Sequence, residues 1–296
     1  MKISVLTPTY NRAGLLNRLY TSLIINSKYN IEIEWLIMND GSTDATETLI
    51  NEFISEKIID IKYYKQENAG KMQALNELMK YVTGDLVVEC DSDDYFTEDA
   101  FETINKAYEE STDSQDLYAL CFLKYDQEGK NIGQDFKKEK TTMFDLYFKD
   151  GEDGEKSLVF YKDKRINYSY ELENNEKFIT EARMHHKMDL DYYIKCYNKP
   201  IMICEYQKDG YTKNIKKIFK NNPYGYFKYF REIFDHDMQG VSFKKRLYVI
   251  KHYILFGYLT KNKLELSYIK GFLNKLLILI LYIPGRIKSR IFNKGE

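Results

Sequence analysis

The hydrophobic and polar positions of the first 125 residues switch between two periods. Ile3–Leu6 is a short apolar run ended by Thr7-Pro8, the pattern of a buried strand. Leu15–Ile25 places apolar residues at 15, 16, 19, 23 and 24, a helical period. Trp35–Met38 reads as a second strand, Asn39–Asp44 as a turn with helix-capping residues, and Thr46–Ile54 as a helix. Ile59–Tyr64 reads as a third strand, Lys71–Val82 as a helix and Leu86–Cys90 as a fourth strand. Ala100–Tyr108 is another helix and Leu117–Tyr125 another strand. This alternation predicts an α/β fold, a mostly parallel, doubly wound sheet with helices on both faces. Ligands of such sheets bind at the carboxyl ends of the strands. Pro8–Arg12, Asn39–Asp44 and Asp91–Asp94 each directly follow an apolar strand, so the site is expected there.

Residues 126 to 180 carry no clear period, and Asp150–Glu155 reads as a surface turn. From about Ile215 the chain turns basic, aromatic and helical, with few turn signals before Pro284-Gly285. We therefore expect a catalytic domain over 1–214 and a helical C-terminal appendage over 215–296. A length of 296 residues suits one large domain or one with an appendage. A hydrophobic fraction of 44% with 30% charged residues supports a core and argues against disorder.

Cys90, Cys121, Cys196 and Cys204 are far apart, which argues against a structural zinc site or a disulfide scaffold. The N-terminus lacks a signal-peptide apolar stretch, and the longest clean apolar run, Leu276 to Ile283, is too short to cross a bilayer. The expected location is the cytosol. The net charge of −1 hides an asymmetry. Residues 212–296 hold 18 Lys and Arg against 5 Asp and Glu, whereas residues 1–211 hold 26 against 40. The basic tail would favour an anionic partner such as a membrane surface.

In Val87–Asp94 an apolar strand delivers Asp91, Asp93 and Asp94 at its exit. Like charges this close destabilise a fold unless solvated or neutralised. A hard divalent cation neutralises them with oxygen ligands, taking water and phosphate oxygens as the remainder of its shell. The bland alternative is a solvated acidic turn before a helix. Asn39–Asp44 is accounted for by an Asp-Gly turn and a cap, except for Asp40, whose carboxylate could accept hydrogen bonds from a ligand. Asn68-Ala69-Gly70-Lys71 opens a helix, where free N–H groups and a lysine suit an anion; an ordinary helix start with an exposed lysine is the alternative. Neither G-x-x-x-x-G-K-[ST] nor G-x-G-x-x-G is present, against a P-loop or a dinucleotide fold.

These clusters occur in one order. Ser4–Arg12, Trp35–Asp44, Asn68–Lys71 through Ala74-Leu75-Asn76, and Gly84-Asp85 through Asp91–Asp94 together resemble a family 2 glycosyltransferase of the GT-A fold, of the inverting, bacterial cell-surface polysaccharide type. The resemblance covers roughly the first third of the chain and is specific as a set. It implies a nucleotide-sugar donor, UDP-linked, and a divalent Mn²⁺ or Mg²⁺. It implies that Pro8, Thr9 and Tyr10 line the nucleotide pocket, that Asp40 binds the uracil ring and that Lys71 sits near the base or diphosphate. Arg12, Asn68 and Ser92 complete the substrate-binding set. Asp91-Ser92-Asp93 would be the family's D-x-D motif, with Asp93 on the metal and Asp91 facing the ribose or sugar. Asn39 stands where the family often has Asp.

An inverting transfer needs a general base for the attacking hydroxyl, and a carboxylate is ionised at neutral pH. Glu176–Ala182 resembles the family's stretch ending in that base, which we place on Glu181, with Glu173 and Asp189 as alternatives. Tyr206–Asn214 resembles the segment that often closes this domain. The acceptor implied is a glycan, lipid-linked or surface-polymer hydroxyl. Ile250–Leu259 and Ile269–Ile283 are apolar and are followed by Arg286, Lys288, Arg290 and Lys294. An interfacial helix with a basic flank would seat on anionic lipid at the inner face of the plasma membrane. A helical subdomain with solvated basic residues is the alternative.

Two other classes fit the sequence less well. A sugar-phosphate nucleotidyltransferase would show a glycine-rich basic loop after the first strand, where Pro8–Arg12 stands instead. A polyanion-binding protein fits the tail, but the acidic first 211 residues would repel a phosphate backbone, so no nucleic-acid partner is expected.

Overall fold

The computed structural model describes residues 1–112, 114–205 and 215–282. The stretch Tyr206–Asn214 and the basic residues from Arg286 onward lie outside them. The chain folds as two units. The first holds Met1–Thr142, Glu152–Tyr170 and Asp191–Lys208.

In the first unit the expected alternation is present. It runs β1 (Lys2–Thr9), α1 (Ala13–Asn26), β2 (Glu32–Asn39), α2 (Thr46–Glu56), β3 (Asp60–Lys65), α3 (Lys71–Leu78), β4 (Leu86–Glu89), β5 (Tyr95–Phe96), α4 (Ala100–Glu109) and β6 (Leu117–Tyr125). β7 (Lys140–Thr141), β8 (Lys156–Tyr161), the short α5 (Lys162–Arg165) and β9 (Tyr193–Ile203) complete it. The sheet order is β3-β2-β1-β4-β8-β6-β9-β5, with β7 on β9. The strands β3, β2, β1 and β4 are parallel neighbours. Beyond them β8 runs antiparallel to both β4 and β6, β9 parallel to β6, and β5 antiparallel to β9. The sheet is thus parallel through its first four strands and mixed in its second half.

Alternation along each strand fills both faces. Ile3, Val5, Trp35, Ile37 and Val88 join Leu16, Leu19, Ile50, Phe53, Phe101 and Ile104 of α1, α2 and α4 in one core. Tyr20 and Phe53 stack there at 4.0 Å between centroids. Leu6, Leu36 and Met38 point to the opposite side, where α3 packs on β1 and β2 through Met72, Leu75 and Leu78. This double cover leaves the carboxyl ends of β1, β2 and β4 as a common edge.

The second unit holds Met143–Gly151, Glu171–Leu190 and Asp209–Glu296. It contains α6 (Ala182–Met188), α7 (Ile215–Asn221), α8 (Pro223–Glu232), α9 (Phe243–Thr260) and a further helix over 272–282. The helical C-terminal region expected from residue 215 is present. However, two earlier segments group with it. Asp189 accepts hydrogen bonds from the N–H groups of Met143 and Phe144 (3.1 and 2.8 Å), and buried Arg183 donates to Glu232 (2.8 Å). Tyr226, Phe227, Phe230, Tyr253 and Phe256 form the aromatic interior between α8 and α9.

Candidate active site

Three loops meet at the carboxyl edge of β2, β1 and β4. Thr9 and Asn39 are register partners, and Asp40 N–H donates to the Thr9 carbonyl (2.8 Å). Asn11, at a left-handed φ of 52° that asparagine tolerates, receives the Thr43 N–H on its side-chain oxygen (2.8 Å). Its own N–H donates to Ser42 Oγ (2.9 Å). Asp44 accepts from Ala13 and Thr46 N–H groups (3.2 and 3.0 Å), tying the starts of α1 and α2 together. Asn39 is buried; its oxygen accepts from Ser42 N–H and its amide donates to the Tyr63 hydroxyl (both 2.8 Å). The amide thus serves both partners, one as acceptor and one as donor.

Asp40 is buried, and both carboxylate oxygens bind the loop before α3. Oδ1 accepts from Gln66 Nε2 (2.7 Å) and Ala69 N–H (2.8 Å), and Oδ2 from Gly70 N–H (2.9 Å). Asn68 Nδ2 donates to the Asp40 carbonyl (3.0 Å). Gly70 has φ 93°, which a side chain would strain. Asp40 thereby fixes the loop that delivers Lys71. Gln66 gave no signal in the sequence, because its role rests on a partner 26 residues away.

At the exit of β4 the carboxylates are treated differently. Lys71 Nζ lies 2.7 Å from Asp91. Asp94 is buried and pairs with Lys124 Nζ (3.1 Å), which sits on β6, and accepts from Cys204 Sγ (3.2 Å). Asp93 stands apart: burial, then the charges of Asp91 and Asp94, push its carboxyl up to about 6. Arg12 and the Asp93 N–H pull the other way. A carboxyl raised by its own neighbours is one that a cation would relieve. Among the described residues no three His, Cys, Asp or Glu side chains gather as a metal cage. A Mg²⁺ or Mn²⁺ shell built on one or two carboxylates, water and phosphate oxygens needs no such cage, and the donor set fits it.

Thr9 adds a second pointer. Its Oγ1 is buried without a hydrogen-bond partner, which costs about 1–3 kcal/mol unless a ligand supplies one. Pro8 is buried, Tyr10 exposed and Ser92 buried between the two aspartates. Beneath the edge, Glu89, two residues before Asp91, accepts from Arg165 Nε and Nη2 (3.1 and 2.8 Å) and from the Tyr170 hydroxyl (2.5 Å). Sequence reading missed this support, since 76 residues separate the partners. Pro8 and Thr9 at the end of β1, Tyr10, Arg12, Asp40, Asn68, Asp91, Ser92 and Asp93 on the loops after the strands, and Lys71 at the start of α3 thus all belong to one unit. A neighbouring cleft of about 400 Å³ is lined by Met38, Tyr64, Gln66, Ala69, Gln73 and Tyr81 among others, not by Asp40 or the aspartates after β4.

Glu181 belongs to the second unit, half-buried at the start of α6, where its carbonyl accepts from Met184 and His185 N–H groups. Glu173 is engaged by Arg183 and Lys228 (3.3 and 3.2 Å), and Asp189 by the two N–H groups that hold 143–144. Glu176 receives Tyr224 and Gly225 N–H groups (both 2.7 Å), capping α8.

Parallel strands β3-β2-β1-β4, an acidic cluster at the exit of β4 and a lysine-tipped loop are the arrangement of a GT-A glycosyltransferase fold. The chain belongs to glycosyl transferase family 2, whose family model matches residues 4–165. It is 41% identical over 105 residues to "Glycosyltransferase GlyA" of Streptococcus pneumoniae, covering 36% of this chain and 15% of that one. It is 31% identical over 118 residues to "Minor teichoic acid biosynthesis protein GgaB" of Bacillus subtilis, covering 40% and 13%. These matches thus span under a sixth of either relative's length. In fold it is similar to S. aureus TarS 1-349 in complex with UDP-GlcNAc, with TM-score 0.60, 14% identity and coverage of 98% and 92%.

Proposed function

We propose that this glycosyltransferase moves a sugar from a UDP-linked donor to a hydroxyl of a glycan, lipid-linked or cell-surface polymer acceptor, with inversion. The observation that carries the reading is Asp91-Ser92-Asp93 at the exit of β4, with Lys71 on Asp91 and Asp93 raised by its neighbours. The UDP-GlcNAc complex of the TarS neighbour and the teichoic-acid role in the name of GgaB support donor and acceptor class. Pro8, Thr9 and Tyr10 line the nucleotide pocket, with the orphaned Thr9 hydroxyl offered to the ligand. Asp40 reads the uracil side, and Arg12, Asn68 and Ser92 complete the pocket. Asp91 faces the ribose or sugar while Lys71 holds it in place.

Asp93 would hold Mn²⁺ or Mg²⁺, which offsets charge on the departing diphosphate. The acceptor oxygen attacks the anomeric carbon as the bond to the diphosphate oxygen breaks. The bond pair leaves with the nucleoside diphosphate, and Glu181 takes the acceptor proton. Glu173, engaged by Arg183 and Lys228, and Asp189, which accepts from the Met143 and Phe144 N–H groups, are the alternatives for this role. A cytosolic position at the inner face of the membrane suits a lipid-linked or surface-polymer acceptor; among the described residues no helix is long and apolar enough to cross a membrane.

The test is thermal stabilisation by a panel of nucleotides with Mn²⁺, then by nucleotide-sugars of the winning base. UDP should raise the melting temperature, and Asp93→Ala should remove the metal-dependent part. No stabilisation by any nucleotide would overturn the reading.

A further inference from the structure

The helix over 272–282 is built inside out. Its inward side carries Asn274, 2% exposed, and Ile278, 1% exposed. Arg246 Nη1 donates to Asn274 Oδ1 (2.7 Å), and Asn274 Nδ2 donates to the Lys270 carbonyl (2.8 Å). These bonds set the rotation of the helix about its axis. The side they turn outward is apolar: Phe272 is 81% exposed, Leu273 47%, Leu276 39%, Leu279 59% and Ile280 60%. At 100° per residue these positions span an arc of about 120°, one continuous stripe. A soluble surface rarely leaves such a stripe uncovered.

The flanking charge selects the occupant. From Gly271 to Glu296 the sequence holds Lys275, Arg286, Lys288, Arg290 and Lys294 against Glu296 alone, and of these Lys275 is among the described residues. A second copy would bring the same positive excess and no compensating charge. A bilayer with anionic headgroups answers both features, since apolar side chains enter the acyl boundary while the positive excess of the sequence is attracted to phosphates. Eleven helical residues span about 16 Å, too little to cross, so the helix lies in the plane of the interface.

We infer that the Phe272–Ile280 face docks on an anionic lipid surface. This deepens, and rests on, the placement of the enzyme at the membrane proposed above. The test is co-sedimentation of the full chain with phosphatidylglycerol-containing vesicles and with pure phosphatidylcholine vesicles, beside a Leu279→Glu/Ile280→Glu variant. Both positions are exposed, so the variant should fold, which its melting curve checks. The wild type should sediment with the anionic vesicles, and the variant should bind about ten-fold less. Equal binding of variant and wild type, or equal binding to neutral and anionic vesicles, would overturn the inference. So would a wild-type oligomer that the variant dissociates while neither binds vesicles. UDP stabilisation is measured on the same samples: sedimentation without any nucleotide response would remove the transferase reading and leave the lipid face standing.

Discussion

Arg165 grips Glu89 with Nε and Nη2 while its own side chain is fully out of solvent. The Tyr170 hydroxyl takes the other carboxylate oxygen. The strand that presents Asp91 is therefore anchored by a buried ion pair. Removing one partner of such a pair leaves an uncompensated charge. Arg165→Met should lower unfolding free energy by about 3–5 kcal/mol in urea titration, and a Glu89→Gln/Arg165→Met double variant should recover part of that loss. Equal stability of Arg165→Met and wild type would show that the pair contributes nothing.

Asp40 spends both oxygens on the loop that carries Lys71. Asn at that position would turn an N–H toward another N–H. Asp40→Asn should cost about 1.5–3 kcal/mol and weaken UDP binding in the same variant. Calorimetry with UDP and Mn²⁺ reads the second effect, and unchanged affinity would show that the loop position does not matter to the ligand.

Asp93 is raised by burial and by its acidic neighbours, so in the metal-free protein its charge opposes folding. Asp93→Asn should raise the melting temperature of the metal-free protein by a few degrees, corresponding to about 1–2 kcal/mol. It should also remove the Mn²⁺-dependent part of stabilisation by UDP. A variant that melts lower than wild type without metal would contradict the electrostatic account.

Glu34, buried on β2, supplies the pH dependence. Burial alone would raise its carboxyl, but hydrogen bonds from Lys62 (2.7 Å), Ser4 (2.5 Å) and Thr83 hold it well below the usual range. A depressed carboxyl stabilises the fold above its unfolded value near 4.5, and that stability is lost as pH falls toward the folded value. Glu34→Gln should lower stability by about 2 kcal/mol at pH 7 and flatten the decline between about pH 4.5 and 2. Parallel acid-unfolding curves for the two proteins would refute this assignment.

Glu181→Gln should leave UDP binding intact and reduce transfer about 10²-fold or more. Asp189→Asn, which disturbs the N–H groups of Met143 and Phe144, should instead lower stability. Full turnover in Glu181→Gln would move the base elsewhere.

The chain's local pattern was enough for β1 through β4 and the helices between them, because each is a short stretch with its own period, buried on faces that the period names. It was also enough to place Asp91–Asp94 after a strand and Asn68–Lys71 at a helix start, since that needs only neighbours in sequence. Tertiary structure alone decided that β8 enters between β4 and β6, that Lys124 neutralises Asp94, that Gln66 and Arg165 support the loops, and that 143–151 and 171–190 join the helical unit. Those outcomes pair residues many positions apart. No local period encodes such a partner, because the choice depends on which distant carboxylate, amide or strand edge the closed chain brings within hydrogen-bonding reach.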